Sequence, residues 1–222
     1  HVSMDRHHHA PPLVSLVEDI GELFSFGCGR YGQLGHGMRS DERYPKLVEF
    51  SVHYSKARIG HIVQVVCGDR HTMVLTDHGR VLTFGSGEHG QLGHGTSDDS
   101  TRPEEVKGLR RRIVRIDCGA VHSIAITEDG LLFIWGFGEN LHPKDFMNIS
   151  FTPRLLQFNQ HIVMSASGHG HVLLLTYDGD AYAFGSGLEG QLGHGANGNV
   201  MQPRLILKGK NVRQVLAGRY FR

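Results

Sequence analysis

A chain of 222 residues, 39% apolar and 20% charged, is long enough to bury a core and too apolar to stay disordered. Its 23 lysines and arginines against 22 acids leave a formal charge of +1, which excludes a global attraction to nucleic acid or to an anionic membrane. Thirty glycines, about twice the average share, point to many tight turns and therefore to strands.

No apolar run approaches the ~20 residues of a membrane-spanning helix, so no membrane association is expected. The three cysteines, Cys28, Cys67 and Cys118, are too few and odd in number for a secreted disulfide framework. They favour a reducing, intracellular setting, cytoplasm or nucleus. Residues 1–12, with the run His7-His8-His9, read as a tag-derived or disordered segment and are given no weight.

From residue 13 the chain repeats itself. The stretch LVSLVEDIGELF leads to Phe26-Gly27-Cys28-Gly29 and the block GQLGHG at 32–37, followed by a strand beginning at Pro45. The connection SVHYSKARIG, residues 51–60, then leads to the strand-like HIVQVVCG. A hairpin follows, HTMVLTDHG and RVLTFG, its first strand apolar on both faces. Next come Phe84-Gly85-Ser86-Gly87, GQLGHG at 90–95 and a strand from Pro103.

The third unit has RIVRIDCG, the hairpin HSIAITEDG and LLFIWG, and Trp135-Gly136-Phe137-Gly138. Here ENLHPKDF replaces the glycine block before a strand from Pro153. The fourth has HVLLLTYDG and DAYAFG, GQLGHG at 190–195 and a strand from Pro203. Counted from Gly21, Gly79, Gly130 and Gly179, the periods are 58, 51 and 49 residues. Four strands in such a period describe one propeller blade. The expected fold is all-β, a β-propeller of about four four-stranded blades over residues 13–222, with the prolines starting the outermost strands.

The block Gly85-x-Gly87-x-x-Gly90 matches a dinucleotide-binding fingerprint only in spacing, since no helix follows to receive a pyrophosphate. Its glycines read as turn and close-packing residues, and no cofactor is expected. Cys67/His71 and Cys118/His122 have a metal-like spacing, but Ser167/His171 takes the same place in the next unit. The cysteines therefore read as small buried residues, and each histidine as an anchor for its own hairpin. The histidines of the glycine blocks, His36, His94 and His194, read in the same way. No triad, paired carboxylate or activated nucleophile stands out, so neither enzymatic chemistry nor a small-molecule substrate is expected.

Three segments remain as candidate partner-binding sites. KGLRRRIVR carries Lys107, Arg110, Arg111, Arg112 and Arg115 with no acid among them, a docking patch for phosphates or for an acidic protein. The connection with His53, Tyr54, Lys56 and Arg58 is longer than its counterparts and is expected to project. Glu139, Asn140 and His142 stand where the glycine block is abandoned.

The alternation of CGDRHTMVLTDHGRVLTFGSGEHGQLGHG with its two later copies resembles the repeats of the regulator of chromosome condensation family. That resemblance implies a ring of seven blades, of which this chain would form part. It also implies guanine-nucleotide exchange on a small nuclear GTPase, through one face and a β-wedge, on chromatin. The wedge belongs in the connection after the aromatic-glycine strand. Here those connections run 18, 18, 17 and 18 residues from Gly27, Gly85, Gly136 and Gly185 to the outer-strand prolines Pro45, Pro103, Pro153 and Pro203, with no insertion. The leading expectation is a scaffold that binds protein partners. The alternative is an exchange factor for a small GTPase, with histone or chromatin contacts, and self-association to complete the ring is a further option. A related plant photoreceptor uses clustered tryptophans, which a chain with Trp135 alone cannot form.

Overall fold

The computed structural model describes residues 22–51, 60–138 and 149–218, and within them it contains fourteen strands and no helix. The candidate residues His53, Tyr54, Lys56, Arg58, Glu139, Asn140 and His142 lie outside the described residues. The first pair of strands, β1 (Phe24–Gly27) and β2 (Glu42–Leu47), forms a two-stranded sheet. Three four-stranded antiparallel meanders follow. They are β3 (Ile62–Cys67), β4 (His71–Thr76), β5 (Val81–Gly85) and β6 (Ser100–Glu105); β7 (Ile113–Cys118), β8 (His122–Thr127), β9 (Leu132–Phe137) and β10 (Ile149–Leu155); and β11 (Ile162–Ser167), β12 (His171–Thr176), β13 (Ala181–Gly185) and β14 (Val200–Leu207). These are propeller blades, numbered one to four here. The first shows two of its strands among the described residues.

The second strand of each full blade is the apolar run of the repeat, and in β4 and β8 all six residues are buried. Sheets packed on both faces require this. The core lies between blades. Met73, Leu75 and Val81 of the second blade pack with Ile113, Ile116, Ala125 and Trp135 of the third. Ile124, Ile126 and Ile134 of the third pack in turn with Val172, Leu174 and Phe184 of the fourth. Each such buried side chain contributes roughly 1.5–3 kcal/mol.

The outermost strands correct one expectation. They begin at Glu42, Ser100, Ile149 and Val200, so Pro45, Pro103, Pro153 and Pro203 lie inside them. Each ladder skips a register there, as between Thr83/Gly85 and Ser150/Arg154. A proline without an N–H is tolerated at such an irregularity on a sheet edge.

The meander fixes which segments share a face. The β3–β4 turn and the β5–β6 glycine loop meet at one face, where the Ser86 amide donates to the Arg70 carbonyl at 2.8 Å. The β4–β5 hairpin and the β6–β7 connection meet at the other, where the Ile113 amide donates to Gly79 at 3.3 Å. Strands β3, β7 and β11 line the axis.

Candidate partner-binding surfaces

The repeated motif residues are occupied by structure. In the glycine loops the Gly87 amide donates to Asp99 Oδ1 at 2.9 Å, and the Gly29 and Gly187 amides donate to Asp41 and Asn199 in the same way. Gln91 Oε1 accepts the His89 amide at 2.8 Å, as Gln33 and Gln191 do for Tyr31 and Glu189. His94 Nε2 lies 2.9 Å from Thr83 Oγ1, and His36 and His194 lie near the carbonyls of Lys46 and Arg204. These three histidines tie each loop to its own blade.

The same loops latch each blade to the next. Ser123 Oγ and Trp135 Nε1 of the third blade both donate to the Gln91 carbonyl, at 2.7 and 3.0 Å. Thr72 does the same to Gln33 one blade earlier. The Gly95 amide donates to Phe151, and a Cβ on Gly93 would stand 2.7 Å from Trp135 Nε1. Glycine is required there both by this contact and by a φ of +74°. Val172 of the fourth blade takes the register position of Thr72 and Ser123 and has no hydroxyl, and the unit before it has no GQLGHG glutamine in its sequence.

His71 overturns the expectation that it anchors its own hairpin. Its Nε2 reaches Ser123 Oγ of the next blade at 2.9 Å. Its ring fills the space over Gly68, where a Cβ would stand 2.3 Å from the ring. Full burial pushes its pKa down to about 4. The cysteines are not the small buried residues expected: Cys28 and Cys67 are exposed and Cys118 is half-buried. Among the described residues no group of three His, Cys, Asp or Glu side chains is gathered to hold a metal.

The basic run is split by the fold. Arg111 pairs with the Asp129 carboxylate, and Arg112 donates to the Asp77 carbonyl at 2.8 Å and lies 3.8 Å from Glu128. Lys107 and Arg110 are exposed on the same face and make no ion pair among the described residues. Arg115 belongs to β7 and lines the axial cleft, away from the others. The run therefore presents two unpaired cations on the hairpin face, not five.

The comparisons with known proteins agree with this architecture. The model of the regulator of chromosome condensation (RCC1) repeat matches residues 21–75, 78–126 and 178–221. The human E3 ubiquitin-protein ligase HERC2 is 37% identical over 213 residues, which cover 91% of this chain and 4% of that protein. The Xenopus laevis regulator of chromosome condensation is 37% identical over 183 residues, covering 78% of this chain and 40% of the relative. The crystal structure of Prp20p from Saccharomyces cerevisiae, described with its binding to Gsp1p and histones, superimposes with a TM-score of 0.72. It is 22% identical and shares the fold over 83% of this chain and 47% of its own. The chain thus spans under half the length of each of these relatives. By its repeat, its blades and these matches, the chain belongs to the regulator of chromosome condensation (RCC1) repeat family.

Proposed function

We propose that the chain is a protein-interaction scaffold of the regulator of chromosome condensation repeat type, which holds partners on its faces and loops. One observation carries the reading. The polar residues of the repeat close loops and latch blades, whereas among the described residues Lys107 and Arg110 stand exposed on the hairpin face and make no ion pair. A pair of free cations on a rigid β-scaffold suits an acidic patch on a partner protein. Prp20p, with the same fold, has been described binding Gsp1p and histones, which makes a small GTPase or a chromatin protein the first partner class to examine.

The test is capture of binding proteins by the full chain at low and high salt, beside a Lys107→Glu/Arg110→Glu variant. Salt-sensitive capture that the variant loses supports the reading. Capture unchanged by the variant overturns it, and retention of DNA in place of protein redirects it to phosphates. An exchange factor is the second reading, favoured by the family match. Release of labelled GDP from a panel of small GTPases, accelerated by the full chain, would establish it.

A further inference from the structure

The two described seams between innermost strands are bridged differently, and the second leaves a cleft. Just past β7 the Gly119 amide bonds to the His122 carbonyl, so two and three residues back the peptide groups alternate toward and away from β8. The Ile116 N–H and C=O turn away, toward the axis. Gln64 of the preceding blade meets both: its Nε2 donates to the Ile116 carbonyl at 2.8 Å and its Oε1 accepts the Ile116 amide at 3.0 Å.

One seam further on, Ser165 holds the register position of Ile116, pairing with Leu174 as Ile116 pairs with Ala125. The Gly168 amide bonds to the His171 carbonyl, so the Ser165 N–H and C=O also turn to the axis. The residue that replaces Gln64 there is Arg115. A guanidinium has donors only and cannot accept the Ser165 amide. Asp117 bridges this seam instead, accepting Ser167 Oγ at 2.7 Å and bonding the Ser165 side chain and the Ser167 backbone, with burial raising its pKa, but no bond to the Ser165 amide is made. Between these groups is an open cleft of about 270 Å³, lined also by Asp117 and by the apolar Val66, Met164 and Leu216.

The Ser165 amide and the Arg115 side chain therefore border one cleft, in register with the place where the first seam holds the acceptor of a side-chain amide. We propose that this axial cleft binds a carboxylate side chain, Asp or Glu, on a segment of a partner protein that enters the axis. The carboxylate takes the place of Gln64 Oε1, accepting from Ser165 N–H and pairing with Arg115, and its chain lies on the apolar lining. The site is separate from the Lys107/Arg110 face and does not depend on that surface.

The probe is the peptide N-acetyl-Gly-Glu-Gly-amide, titrated into the full isotope-labelled chain and followed by amide NMR, with the Gln and Lys peptides and free acetate alongside. The Glu peptide is expected to move the Ser165 amide saturably, and the Lys peptide is not. Arg115→Gln restores the Gln64 arrangement, so it should weaken binding about tenfold or more while raising the unfolding midpoint. Lys107→Gln should leave binding unchanged. An unmoved Ser165 amide, equal response to the Lys peptide, undiminished binding by folded Arg115→Gln, or shifts confined to residues 107–110 would each overturn the proposal. Response to acetate equal to that of the peptide would assign the site to free carboxylates and overturn the partner segment.

Discussion

His71 Nε2 and Ser123 Oγ meet at 2.9 Å across the boundary between two blades, and the same Ser123 hydroxyl donates to the Gln91 carbonyl. A hydroxyl that donates once must accept from the histidine, so His71 carries a proton on Nε2. In the fold it stays neutral down to about pH 4, whereas the unfolded chain protonates it near 6.5. Between those values the unfolded state holds more protons, so stability falls as pH drops from about 6.5 to about 4, by about 3 kcal/mol from this residue. Burial also lowers the pKa of His94 and His171, with the same sign. Urea midpoints are expected to be flat above neutrality and to decline through that window, with a shallower decline in His71→Gln.

Removing the hydroxyl tests the latch itself. Ser123→Ala takes away the partner of His71 Nε2 and one of two donors to the Gln91 carbonyl, while Trp135 Nε1 remains on that carbonyl at 3.0 Å. A buried imidazole N–H left without an acceptor costs about 1–3 kcal/mol. Ser123→Thr, which keeps the hydroxyl, should recover most of it in equilibrium unfolding. An alanine variant as stable as the parent would mean that water or a neighbour satisfies His71.

Glycines of the second and fourth glycine loops are not equally constrained. A Cβ on Gly93 would stand 2.7 Å from Trp135 Nε1, whereas one on Gly195 would meet nothing within 4 Å, although both residues have positive φ. Alanine at either pays roughly 1 kcal/mol of backbone strain. Only Gly93→Ala adds overpacking against a buried ring, about 1–3 kcal/mol more. Trp135 is the sole tryptophan and is fully buried, so its emission should shift to the red in Gly93→Ala and stay in place in Gly195→Ala.

The blades were legible in the sequence because the signals are local: apolar runs, Thr-x-x-Gly hairpins and glycine blocks at a near-constant period. What escaped it depends on contacts between blades. Nothing near His71 in the sequence points to Ser123, 52 residues on. Arg111 looked free because its partner Asp129 is 18 residues away, brought beside it by the β8–β9 hairpin. Arg115 is contiguous with the basic run in sequence, yet β7 starts at Ile113 and carries it to the axis. The prolines mark the outer strands correctly but not their starts, since pairing already begins upstream of them, as at Gly85 with Ser100.

That neutralised pair gives the last prediction. Asp129 is held as a carboxylate by the Thr127 hydroxyl and, to a lesser degree, by Arg111, and its pKa is lowered accordingly. Asp129→Asn removes the charge, keeps an acceptor for Thr127, and frees Arg111 beside Lys107 and Arg110. Stability should change little, because the pair is exposed and surface pairs contribute little. Binding to an acidic partner or to heparin should tighten, with a slope of log affinity against log salt steeper by about one charge. Adding Arg111→Ala to Asp129→Asn should return the slope to that of the parent. An unchanged slope in the single variant would show that this face does not carry the electrostatic contact.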